Sequence, residues 1–399
     1  MNRKKQSDTL APWVVLVAVS LIRGVCGPGL NSSAGILFPW VREETGMGVG
    51  VLSLFMTVAA LAGLATLYAA KWVFARLGSV KIALLGGGLV TLSFCLLGFG
   101  NTPVLWCLPA IPFGVGTVLA VNLLGPTVVH DVFHKDVGLA LGVMTTIASL
   151  VGAGIHPAFV WLIEGVGWRR ACFYLGGGCF VILLLAWLVF SRLTPKEESR
   201  EEPQKAEYKG VTRSLAGKSL LVFMAVITAF NMFHQHFSTY AKVQGIGTHP
   251  LSVALTLSMV GAAIGGILIG KVGDLFGGGY GGLLTLVVGG VSCLLFLIGE
   301  STAAFVTAAT LHGVASSGVG VTVPVLAREF FRGEHYTEVL SRVMLGAPLS
   351  TILSMPLYGI LFDRMGTYQV SLVQLLLWLL FAALMLLFAM KRRRRRRAV

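Results

Sequence analysis

The sequence runs to 399 residues, 55% of them hydrophobic and 12% charged, with a mean hydropathy of +0.82. Soluble domains carry roughly a quarter charged residues, so a soluble globular fold is excluded. The net charge of +14 gathers in short segments between long apolar runs, which argues against a nucleic-acid partner, and runs that are continuous rather than alternating exclude a β-barrel.

A membrane-spanning helix needs about 20 apolar residues. Six predicted spans fall at 11–38, 49–73, 81–99, 103–128, 137–162 and 169–191. Six more follow at 218–240, 250–272, 281–299, 302–327, 338–361 and 367–390. They are numbered helices 1 to 12. The predicted fold is all-α and integral to the membrane, with an N-terminal six-helix bundle (1–191), a cytoplasmic linker (192–217), a C-terminal six-helix bundle (218–390) and a basic tail (391–399).

Helix 1 is long enough to span and carries Arg23, so it reads as a retained helix rather than a cleaved signal peptide. At about 1.5 Å per residue, Arg23 lies about 18 Å deep, near the midplane. Ionisable groups there are costly and are functional candidates. A guanidinium can hold a carboxylate through two parallel hydrogen bonds; the bland alternative is an arginine satisfied by backbone carbonyls between helices. Gly24, Gly27, Pro28 and Gly29 predict a break in helix 1 beside a substrate. Asn31 in helix 1 and Asn122 in helix 4 are further substrate-binding candidates. His156, next to Pro157 near the outer end of helix 5, is expected in a wet setting.

In helix 7, Asn231 and His234 share a face at i, i+3, with His236 and Tyr240 further out. Gly261 and Gly265, with Gly266 and Gly270, predict close packing of helix 8. His312 lies about ten residues into helix 10, close to the midplane, suited to donate to an anion or relay a proton. Arg342, about one turn inside helix 11, is placed to snorkel or to serve at a gate. All 17 acidic residues fall in tails, loops or span ends. A cavity with arginine and histidine but no midplane carboxylate favours anions, and proton coupling would fall to His312 or His234. The six cysteines (Cys26, Cys95, Cys107, Cys172, Cys179, Cys293) lie in apolar runs, match no metal-ligand spacing and read as packing residues. No cofactor or metal is expected.

Lys and Arg set the orientation. With the N-terminus inside, 24 fall in inside segments and 5 outside, Arg23 and Arg342 remaining within spans. Both termini are therefore expected in the cytoplasm, in the plasma (inner) membrane, with the Arg392–Arg397 run as an anchor at anionic lipids.

Two pairs of segments recur at one offset. Lys71-Trp-Val-Phe-Ala-Arg-Leu-Gly78 precedes Gly270-Lys-Val-Gly-Asp-Leu-Phe-Gly277 by 199 residues, and Pro157…Glu164…Gly167 precedes Pro356…Asp363…Gly366 by the same 199. This predicts two related halves.

Gly270-Lys-Val-x-Asp274-x-x-Gly277 resembles the G-x-x-x-D-[RK]-x-G signature of the major facilitator superfamily. In the first copy Ala75 replaces the acid and Lys71 the first glycine, while Arg76 and Gly78 persist. The resemblance implies that helices 1, 4, 7 and 10 line the cavity. It also implies that the loop acid caps a neighbouring helix, so that Asp274, Gly270, Gly277 and Arg76 serve gating. Pro356-Leu-Tyr-Gly359-x-Leu-x-Asp363-x-x-Gly366-x-Tyr368 and Phe133-His-Lys135-x-x-x-Leu139-Ala140-x-Gly142 resemble the monocarboxylate porter and oxalate/formate antiporter branch. Asp136 and Val137 stand where that branch has paired basic residues, helix 8 has no arginine before Lys271, and the helix 1 signature is reduced to Asp8 and Trp13.

The function expected is secondary transport of a small, monocarboxylate-like organic anion by alternating access. The runner-up is an exporter of drug-like or amphiphilic compounds. An enzyme is not expected: H-E-x-x-H, G-x-S-x-G, paired midplane aspartates and a P-loop are all missing from the sequence.

Overall fold

The computed structural model describes residues 2–133, 137–193, 214–331 and 336–397. The greater part of the linker, residues 194–213, and the His134–Lys135–Asp136 approach to helix 5 lie outside them, as do the side chains of Asp8, Lys71 and Ala75. Among the described residues there is no strand. Among the same residues twelve helices are long and apolar enough to cross a membrane. Helices 1 to 6 are Pro12–Thr45, Val49–Ala69, Arg76–Leu97, Pro103–Val129, Ala140–Val166 and Trp168–Leu193. Helices 7 to 12 are Leu215–Val243, Thr248–Phe276, Gly278–Ile298, Thr302–Phe330, Arg342–Met365 and Gln369–Arg392. Backbone groups have no water partner in lipid, so each apolar run closes its hydrogen bonds within its own helix. That requirement is local, which is why hydropathy locates the spans. The largest departure is at helix 1, which continues past its expected limit at Phe38, through Pro39 to Thr45.

The chain divides into two compact units. The first comprises Met1–Met47 and Val51–Glu202; the second comprises Gly48–Gly50 and Pro203–Val399. Within the second, the Asp363 carboxylate accepts from the Val49 and Gly50 N–H groups at 2.9 and 2.7 Å.

The two units share one backbone plan. Among the described residues six glycines have positive φ, and they form three pairs: Gly46 and Gly245, Gly78 and Gly277, Gly167 and Gly366. Each pair is separated by the same 199 residues. Positive φ suits glycine because a Cβ would clash there, so these glycines mark the chain reversals after helices 1, 2 and 5 of each half, Gly78 standing as a kink two residues inside the bounds of helix 3. The N-caps repeat as well: Thr102 accepts from Leu105 N–H, and Ser301, 199 residues later, from Ala304 N–H. So does one helix crossing. A Cβ on Gly114 would stand 2.0 Å from the Ala59 carbonyl oxygen, and one on Gly313 1.8 Å from that of Ser258. Both members of that contact shift by 199 residues. The predicted packing of helix 8 follows the same logic at Gly261 and Gly265, which lie against the Thr310 and Val314 carbonyls, while Gly266 and Gly270 sit more loosely.

In the first unit, buried Phe38, Phe55, Phe94, Phe113, Phe159 and Trp106 fill the core. Trp106 and Trp187 donate across helices to the Leu52 and Val80 carbonyls, both at 2.9 Å. At one end Arg169 pairs with Glu44 at 2.9 Å, donates to Gly98 O and lies over the Trp168 ring. The second unit is held by rings of helices 7, 9 and 10 and of the turn before helix 12: Phe233, Phe237, Tyr240, Phe296, Phe305 and Tyr368. The six cysteines are free thiols, with Cys26, Cys172, Cys179 and Cys293 buried.

Candidate functional site

Four of the helices depart from α geometry near their middle, and the candidates cluster there. Helix 1 is not broken at Pro28, as its glycines and proline suggest. It widens into a π-helix over Val25–Asn31, where the ladder runs i to i+5 as far as the Ser32 N–H on Gly27 O. The physical reason is that Pro28 has no N–H for the carbonyl four residues before it, and a π turn skips that position without leaving the helix. Helix 4 has a second π segment over Val118–Leu123. The two segments pack together: a Cβ on Gly27 would lie 3.2 Å from Val121 Cγ1.

Arg23 ties them. Its Nη1 donates to the Val121 carbonyl, the one partner that its guanidinium has among the described residues. The side chain is partly buried, beside Gly125 and the Met144 thioether. No carboxylate faces it. Every Asp or Glu within a span lies in that span's last turn. Asn122, the residue after Val121, is exposed in mid-helix and makes no hydrogen bond among the described residues. Asn31 closes the helix 1 π segment and is half-buried. An exposed amide is costly against lipid and suited to a polar cavity.

His156 corrects an expectation. It is buried rather than wet, with Nε2 2.9 Å from the Pro28 carbonyl. The π segment frees carbonyls that need donors, and His156 supplies one from helix 5.

In the second unit, helix 7 tightens to a 3-10 turn at Phe233–His236, and helix 10 is interrupted at Ser317. His312 is buried, stacked on Phe230 at 4.3 Å, with Nε2 2.8 Å from the Phe230 carbonyl and Nδ1 3.4 Å from Ser316 Oγ. His234 is buried with its ring 6.2 Å from that of His312. Asn231, next to Phe230, is half-buried and makes no hydrogen bond among the described residues. The structure thus brings Arg23 to the carbonyl of the residue before Asn122, and brings His312 to His234 and to Phe230, the residue before Asn231.

Arg342 stands apart, partly buried in a helix over Tyr336–Met344 that is offset from Gly346–Met365. Arg76 and Asp274 are exposed, Gly277 has φ 104°, and Gly270 is loosely packed. The acid that caps the helix after Gly277 is Glu329, whose Oε2 accepts from Gly279 N–H at 3.1 Å. Sequence reasoning missed Glu329 because its partner lies 50 residues away. It also missed Tyr358, whose hydroxyl donates to the Ala229 carbonyl at 3.1 Å.

The same architecture recurs in known proteins. Residues 21–255 and 245–399 match the family model of the Major Facilitator Superfamily. Monocarboxylate transporter 13 of Rattus norvegicus is 25% identical over 308 residues, covering 75% of this chain and 70% of that protein. Its counterpart from Bos taurus is 25% identical over 248 residues, 60% of this chain and 57% of that protein. Among solved structures, the nucleoside transporter NupG superposes with a TM-score of 0.76 at 10% identity, covering 95% of this chain and 99% of its own. A bacterial homolog of the human lysosomal transporter Spinster, inward-facing and unoccupied, gives a TM-score of 0.65 at 15% identity over 95% and 97%. These two structures share the fold.

Proposed function

Because this chain belongs to the Major Facilitator Superfamily, we propose that it is a secondary transporter of a small, monocarboxylate-like organic anion, working by alternating access. The observation that carries this reading is Arg23: a cation in mid-span, bonded to one carbonyl, with four of its five N–H donors left for a ligand and no carboxylate in the interior of any span. An anion that takes up the guanidinium replaces water with two parallel charge-assisted bonds. Asn122, on the helix 4 π segment, offers its amide donors to the same ligand, and Asn31 stands on the helix 1 segment. The relatives named as monocarboxylate transporters support the carboxylate class. In the second unit Asn231, His234 and His312 are the polar candidates, and a coupled proton or counter-anion would meet a titratable group at His234 or at His312. The 24-to-5 distribution of Lys and Arg supports cytoplasmic termini in the plasma (inner) membrane, the basic tail lying at anionic lipid.

The test is uptake of labelled pyruvate and benzoate into proteoliposomes. Losing two charge-assisted bonds of roughly 1.5 kcal/mol each predicts about a 100-fold fall in kcat/KM for Arg23→Ala. Arg23→Lys keeps the charge but not the fork and falls between. Flux of an organic cation that survives Arg23→Ala, with no carboxylate uptake, would overturn the reading in favour of an exporter of drug-like compounds.

A further inference from the structure

The second unit has its own mid-helix irregularity, and the groups around it assign roles that the transport reading leaves open. Helix 7 is α-helical over Leu215–Met232. There the ladder changes: the Phe233 N–H turns to the Phe230 and Asn231 carbonyls, starting the 3-10 turn. The Ala229 carbonyl therefore lacks its i+4 donor. In a membrane interior an orphaned carbonyl has no water to take, so the turn persists where another group satisfies it. Tyr358 of helix 11 does so, its hydroxyl 3.1 Å from Ala229 O. One residue on, the Phe230 carbonyl receives His312 Nε2 at 2.8 Å from helix 10. One turn earlier, Ser350 Oγ donates to the Ala225 carbonyl at 2.6 Å.

The donors are themselves fixed. The Tyr358 ring meets Phe233 and His236 edge-on at 5.9 and 5.8 Å. The His312 ring is stacked on Phe230 and packed edge-on against Phe237 at 5.0 Å. Both donors are buried. Asn231 follows the two held carbonyls directly, and its amide is half-buried with no hydrogen bond among the described residues.

We propose that His312 and Tyr358 are positioning residues, which hold helix 7 in its 3-10 turn through the carbonyls of residues 229 and 230 and thereby fix the Asn231 amide for the substrate. His312 acts through the helix backbone instead of touching the anion. The consequence for Asn231 rests on the transport reading above; the hold on the helix does not.

Hydrogen–deuterium exchange of the purified full chain tests the hold without a substrate. Tyr358→Phe and His312→Ala should each speed exchange of the amides of residues 231–237 about tenfold, the effect expected from one buried acceptor left unsatisfied. His312→Gln restores a donor at similar reach and should bring exchange back to within about threefold of the parent. Ser292→Ala removes a buried hydroxyl that donates to Ala308 O at 2.8 Å elsewhere in the same unit, and should leave helix 7 unchanged. Unchanged exchange in Tyr358→Phe and His312→Ala, or an equal rise in Ser292→Ala, overturns the proposal. Pyruvate uptake then tests the consequence. Asn231→Ala and His312→Ala should raise KM by similar factors with kcat preserved, and the double variant should add little to either, whereas multiplying effects would mean that His312 acts independently of Asn231. Wild-type protein that fails to carry pyruvate or benzoate would sink the transport reading, and the exchange result would still decide the hold.

Discussion

The two units match in backbone and differ in chemistry. Turn glycines, N-caps and a glycine crossing recur at one 199-residue offset. The mid-helix irregularities do not follow it chemically. In the first unit they are wide π segments, one set by Pro28, and a lone guanidinium joins them. In the second they are a tight 3-10 turn and a helix interruption, surrounded by aromatic rings and by imidazole and hydroxyl donors, with Phe233 and Phe237 at the centre. The position 199 residues before His312 is Phe113, and no arginine stands in the interior of helix 7. The lesson is that a duplicated scaffold needs the same turns and crossings to fold twice. The side chains at the two centres are under no such constraint, and there the units have diverged.

If that is right, a change to the shared scaffold should injure both units alike. The largest effect is expected at the glycine crossing. A methyl on Gly114 or Gly313 would overlap a backbone carbonyl at 2.0 or 1.8 Å, and backbone cannot swing aside as a side chain can. Gly114→Ala and Gly313→Ala should each cost about 3 kcal/mol or more. Thermal unfolding in detergent would show this as loss of the monodisperse protein or a fall in apparent Tm of about 6 °C or more. A large effect at one position and none at the other would break the equivalence.

The legibility of the molecule from its sequence divides along the same line. The spans were readable because hydropathy over some 20 residues answers to a single local requirement. The glycine pairs at 78 and 277 and at 167 and 366 were readable because flanking residues repeat too. The third pair, Gly46 and Gly245, sits in Glu-Thr-Gly46-Met and Val-Gln-Gly245-Ile, which share nothing but the glycine. At helix 1 the proline signal was visible but admits two outcomes, a break or a π turn. Packing against Val121 and the His156 bond to Pro28 O decide between them, and neither is local. The helix 4 π segment contains no proline or glycine to announce it. Arg23 was legible as a candidate, since a charge in mid-span stands out; its carbonyl partner 98 residues away was not.

A medium effect should separate the units at their capping acids. Glu329 accepts from Gly279 N–H at the start of helix 9, where a carboxylate also meets the helix dipole favourably. The residue 199 positions earlier is His130, so the first unit lacks an acid there. Glu329→Ala should cost about 1 kcal/mol, close to the loss of an N-cap, and lower the apparent Tm by about 3 °C. Asp274→Ala, at the exposed signature acid, should change stability by less than about 0.5 kcal/mol. The reverse order would return the capping role to Asp274.

The smallest effect sharpens the comparison most, because it concerns groups with the same job in both units. Thr102 and Ser301 each accept one backbone N–H three residues on, at 3.3 and 3.1 Å. Replacement by alanine removes an N-cap worth about 1 kcal/mol, and serine is a slightly better cap than threonine. Ser301→Ala should therefore cost a few tenths of a kcal/mol more than Thr102→Ala. The two caps share no partner, so the double variant should give their sum within about 0.5 kcal/mol. If the two units unfold as one cooperative body, apparent Tm falls by the same amount per kcal/mol whichever cap is removed. If they unfold separately, each variant shifts one transition and leaves the other in place. A calorimetric trace of the two single variants distinguishes these outcomes, and two independently shifted transitions would mean that the repeated scaffold is also two folding units.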